Sequence, residues 1–104
     1  MTHDEKMKAL ERIFNRCLEV ADAKGRDYSG TIDGMGNFRD FGWRGIVVRI
    51  GDKYHRAKNL TNSQALPVVA GEKVEDTLMD MLVYSALALV QKEIEDADVT
   101  LTGR

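Results

Sequence analysis

A single cysteine excludes an internal disulfide, and neither it nor the two histidines has the spacing of a zinc site. Cys17 falls on the apolar face of a helical pattern, where a small buried thiol is the plain reading. Basic residues are not in surplus: 15 Lys and Arg stand against 17 Asp and Glu, for a net charge of −2. General duplex DNA binding, which requires many neutralised phosphates, is therefore disfavoured, whereas a compact phosphate site made from a few bases stays open. No apolar run is long enough to cross a bilayer, since residues 81–90 fall well short of the length required. The polar start Met1-Thr2-His3-Asp4-Glu5-Lys6 predicts no signal peptide. The chain is thus expected in the cytoplasm, without a membrane partner. Nor is there an internal repeat, a low-complexity tract or a second domain in the 104 residues, which suffice for one domain with a modest core.

What the chain does contain is helical periodicity. Over residues 4–24, Met7, Leu10, Ile13, Phe14, Cys17, Leu18 and Ala21 recur at spacings of three and four. Thr2 or Asp4 can cap this helix, and Gly25 is expected to end it. A glycine-rich stretch over 25–42 follows, with Tyr28, Phe38 and Phe41 inside it and Trp43 just beyond, and reads as a loop. A loop this long in a small domain is usually functional, although its aromatics can equally serve to close one end of a core. Residues 43–61 read as a second helix with Ile46, Val47, Ile50, Tyr54, Ala57 and Leu60 on one face. Pro67 and Gly71 mark a connector through 62–71, and 72–96 reads as a third long helix, apolar nearly all round from 78 to 90. The polar tail after Glu93 is expected to fray. The fold class is all-α, with three long helices.

Two charged groups interrupt the apolar patterns. Glu72, Asp76 and Asp80 are spaced i, i+4 and i+8, so they share one face of the third helix, with Glu75 on its flank. Stacked carboxylates repel one another unless a cation lies between them, and oxygen-only ligands suit Mg2+ or, as a substitute, Mn2+. Such an ion can polarise a phosphoryl group. The plain alternative is that Glu72 and Glu75 complement the helix dipole while Asp76 and Asp80 pair with bases. Those bases are Arg49, Lys53 and Arg56, which occupy one face of the second helix, Lys53 inside its apolar stripe. Arg offers a fork matched to phosphate and Lys a point charge. Asp52 is placed to pair with Arg56, and His55 projects away to the surface.

The residues Lys24-x-x-Asp27-Tyr28-x-Gly30, then Val48-Arg49-Ile50-Gly51-Asp52-Lys53-Tyr54-x-Arg56-x-x-Asn59-Leu60, then Glu72-x-Val74-Glu75-Asp76-Thr77-Leu78-x-Asp80-x-x-x-Tyr84 resemble the nucleotide modification associated domain type 1 family, found largely in bacteriophages and prophages. The similarity covers about residues 10–90. The Glu-x-x-Glu-Asp-x-x-x-Asp block is also similar to the metal-binding helix of the all-α, MazG-like NTP pyrophosphohydrolases. That second likeness is incomplete, because the first helix has Glu11 followed by Asn15 in place of a second acid. The missing ligands would come from a partner subunit, or catalysis is absent.

The resemblance implies a MazG-like helical bundle that handles a nucleotide. One form is a Mg2+-dependent pyrophosphohydrolase of a (deoxy)nucleoside triphosphate. In it Glu72, Glu75, Asp76 and Asp80 hold the metal, with Glu75 and Asp76 at the catalytic step. Arg49, Lys53 and Arg56 neutralise the phosphates, Lys24 and Asp27 stand on the substrate side, and Tyr28, Phe38 or Trp43 stacks on the base. A second form is a nucleotide-binding or sequestering accessory without catalysis. The third is a helical interaction module in which acids and bases only pair with each other. Because a lone three-helix unit leaves apolar surface unburied, a homo-oligomer is expected.

Overall fold

The computed structural model describes residues 1–28, 35–62 and 67–102, with side chains for all of these except 27, 28, 37, 67–73 and 100–102. It is all-α. Helix α1 spans His3–Tyr28, a short 3-10 turn spans Gly36–Phe38, helix α2 spans Gly42–Asn62 and helix α3 spans Pro67–Thr102. Among the described residues no helix is long and apolar enough to cross a membrane.

Helix α1 begins with a reciprocal cap. The Glu5 N–H donates to the Thr2 hydroxyl oxygen at 3.1 Å, and the Thr2 N–H donates to the Glu5 carboxylate at 3.4 Å. The pattern Thr-x-x-Glu thus satisfies two of the donors that a helix start leaves unpaired. Gly25 does not end the helix, which runs three residues further. A lone glycine inside a helix costs only about 1 kcal/mol relative to alanine, and an Asp22–Arg26 ion pair at 2.9 Å spans it.

Helix α3 is longer than its periodicity predicts at both ends. It starts at Pro67, where a connector is expected, because proline suits the first helical position: its φ is already helical and its missing N–H would have no partner there. It continues to Thr102, six residues past the expected end.

Helices α2 and α3 form an antiparallel pair. Trp43, at the start of α2, meets Glu95 late in α3, and Lys53, half-way along α2, meets Asp80. Helix α1 touches α3 more sparingly. Ile46 and Val83 are fully enclosed, and Cys17, Met35, Thr77 and Gln91 are buried. The thiol of Cys17 is free and buried, on the apolar face of α1. The apolar character of α3 is not matched by burial within one chain: Leu78 and Leu89 are more than half exposed, as are Phe14 and Leu18 of α1.

Candidate functional site

The site begins with the face of α2 that carries a charge every turn. Arg49, Lys53 and Arg56 follow one another at four and three residues, so their side chains leave the helix on one side. In the structure they line an open cleft of about 550 Å³ together with Asp52 and Tyr84. That volume lies within the usual range for a small-molecule site. Asp52 lies beside Arg56 in the cleft, without the ion pair among the described residues that their spacing predicts.

Asp80 of α3 pairs with the middle member of this row, Lys53. One of its carboxylate oxygens accepts from Lys53 Nζ at 3.1 Å and the other from Lys24 Nζ at 3.2 Å. The three side chains are each between a quarter and about a third exposed. Partial burial on its own would raise the Asp80 pKa, but the hydrogen bonds from Lys53 and Lys24, aided by their charges, outweigh it and hold the carboxyl below its ordinary value. The Lys24 ammonium also stands 5.4 Å from the Tyr84 ring centroid, and the Arg49 guanidinium stands 6.0 Å from it. Tyr84 therefore holds one cation from α1 and one from α2 against its ring. Lys24, Lys53, Arg49, Tyr84 and Asp80 form one connected group drawn from three helices.

The acids of α3 separate. Glu75 and Asp76 are exposed, Thr77 between Asp76 and the apolar run is buried, and Asp80 is turned inward. The side chains of Glu72, Asp27 and Tyr28 lie outside the described residues. Among the described residues no three His, Cys, Asp or Glu side chains come together as a group that could hold a metal ion. Among the described residues, Glu75, Asp76 and Asp80 are not gathered into one such group. Both oxygens of Asp80 face ammonium groups, so in this arrangement it acts as their counter-ion.

A second, apolar cavity of about 280 Å³ adjoins the first. Phe38, Phe41, Ile46 and Val48 line it, and Arg49 lines both. Trp43 lines neither. Its ring is 4.7 Å from the Arg44 guanidinium, and its backbone N–H donates to Glu95 Oε2 at 2.9 Å. Glu95 thereby caps the start of α2 from a distant position, where negative charge also suits the helix dipole. Gly42 makes this approach possible: its φ is +68°, and a Cβ there would sit 2.8 Å from Glu95 Oε1.

Sequence reasoning gave no site role to two members of this arrangement, Tyr84 and Glu95. Tyr84 follows Asp80 by four residues and shares its face, a spacing that marks it as a neighbour of the same cleft. Glu95 lies eleven residues beyond Tyr84, three turns along the same face, inside a segment whose polarity reads as a frayed tail.

Comparison of the chain with family models, with curated proteins and with solved structures gave no match.

Proposed function

We propose that the chain binds a phosphorylated small molecule, a nucleotide, with its phosphates in the cleft of Arg49, Lys53, Arg56 and Tyr84. The observation that carries this reading is the convergence of three cations from one helix on an open cleft. One carboxylate, Asp80, accounts for Lys53 and Lys24 but for neither arginine. Two guanidinium forks beside an ammonium are a donor set suited to phosphate oxygens. The likeness of the Arg-x-x-Asp-Lys and Glu-Asp-Thr-Leu-x-Asp blocks to the nucleotide modification family supports the same ligand class. In this reading Asp80 is the counter-ion of the two ammonium groups and is not itself a phosphate-binding residue.

The non-catalytic form, a binding or sequestering accessory, is favoured over the Mg2+-dependent pyrophosphohydrolase because Asp80 is engaged by two lysines. The exposed apolar side chains Phe14 and Leu18 of α1, with Leu78 and Leu89 of α3, support the further proposal that the working unit is a homo-oligomer.

Calorimetric titration with nucleoside triphosphates, in magnesium and in chelator, tests the reading, with release of pyrophosphate or monophosphate followed in parallel. The expected result is binding in both buffers, weakened about tenfold by Arg56→Ala, without turnover. Binding that needs magnesium, or turnover abolished by Asp76→Ala, would instead favour the hydrolase.

A further inference from the structure

We infer that the apolar cavity beside Arg49 seats the ring of the ligand, and that it accepts flat rings with little regard for the pattern of donors and acceptors on their edges. This rests on the reading of the basic cleft as a phosphate site and adds to it what the other end of the molecule meets.

Three observations carry the inference. Phe41 is 78% exposed, yet it forms part of a cavity wall together with Phe38. Its position is set by the helix beneath it: a Cβ on Gly45 would lie 2.5 Å from the Phe41 Cβ, so only glycine at 45 lets Phe41 stand where it does. The cavity also adjoins the phosphate cleft, because Arg49 lines both. A ligand with phosphates on Arg49, Lys53 and Arg56 can extend past Arg49 and bring its non-phosphate end next to the two phenyl rings.

The lining sets the selectivity. Phe38, Phe41, Ile46 and Val48 have no hydrogen-bonding group in their side chains, which leaves the Arg49 guanidinium as the side-chain donor at the boundary. Stacking on aromatic faces is tolerant of base identity because every base has a π-face. A wall without polar side chains discriminates only weakly between rings of similar size, whereas a site that hydrogen-bonds its substrate rejects analogues by several orders of magnitude. The cavity, at about 280 Å³, lies at the small end of ligand pockets and suits one ring system. The ligand class is a nucleoside polyphosphate recognised by its phosphates and its ring, with its base left unread.

The test is a calorimetric titration of the full chain with inorganic tripolyphosphate and with the four common deoxynucleoside triphosphates, all in chelator. The four nucleotides are expected to bind within about threefold of one another and roughly tenfold tighter than tripolyphosphate, the increment of one stacked base. Phe41→Ala, at an exposed position, is expected to fold normally by circular dichroism and to bring the nucleotides down to the tripolyphosphate affinity while leaving that affinity unchanged. Gly45→Ala, which displaces Phe41, should act in the same direction. Equal affinity for tripolyphosphate and nucleotides in the wild type would overturn this inference and leave the phosphate cleft standing. So would a preference of a hundredfold or more for one base. Failure of tripolyphosphate and nucleotides alike would overturn the phosphate reading itself, and this inference with it.

Discussion

Lys53 Nζ and Asp80 Oδ2 face each other at 3.1 Å across the interface of α2 and α3, while the other oxygen of Asp80 receives Lys24 from α1. A single carboxylate thus joins three helices of which one, α1, has few other contacts with the rest. Removing its charge leaves two partly buried ammonium groups facing each other without compensation. Because all three groups retain some solvent, the cost is well below the 3–5 kcal/mol typical of breaking a fully buried pair.

Asp80→Asn is accordingly expected to lower the unfolding free energy by about 1–2 kcal/mol in urea titrations. Adding Lys53→Met should recover part of that loss, with a coupling of about 1 kcal/mol in the double-mutant cycle. Strict additivity of the two changes would show that the pair has no energetic role.

The same contact gives the fold an acid sensitivity. The Asp80 pKa is lowered in the folded chain, so its ionised form stabilises the fold above its unfolded value of about 3.9. That contribution is lost as the pH falls through the lowered folded value. The stability difference between wild type and Asp80→Asn should therefore stay constant from pH 7 to about 5 and shrink below about 4. A difference that grows on acidification would contradict the assignment.

The start of α2 offers an independent check. Gly42 combines a φ of +68° with the close approach of Glu95. Gly42→Ala should cost about 1–2 kcal/mol for the left-handed conformation alone, before any displacement of Glu95. Glu95→Ala should cost about 1 kcal/mol through loss of the cap on the Trp43 N–H. Thermal denaturation of both variants checks this, and unchanged midpoints would mean that the cap does not form.

Much of this architecture was legible in the residues. Three helices follow from the periodicities around Leu10, Ile46 and Leu87, and the unusual place of Lys53 follows from its sharing a helical face with Ala57 and Leu60. Helix ends were less legible, because Gly25 and Pro67 are ambiguous: glycine is tolerated inside a helix, and proline breaks a helix interior but suits its first turn. The acids show a deeper limit. Spacing places Asp76 and Asp80 on one face, yet their depth depends on where α2 crosses α3. Only Asp80 lies level with Lys53, one turn further in than the exposed Asp76. The cap by Glu95 was illegible for the same reason, since it links residues more than fifty positions apart.

The most direct test of the central claim, that Asp80 serves the lysines of a phosphate site, is the affinity of Asp80→Asn for a nucleoside triphosphate in the presence of chelator. With the negative charge gone and Lys53 released toward the cleft, binding should be retained or strengthened several-fold in a protein that still folds. A loss of tenfold or more from folded Asp80→Asn would contradict the account.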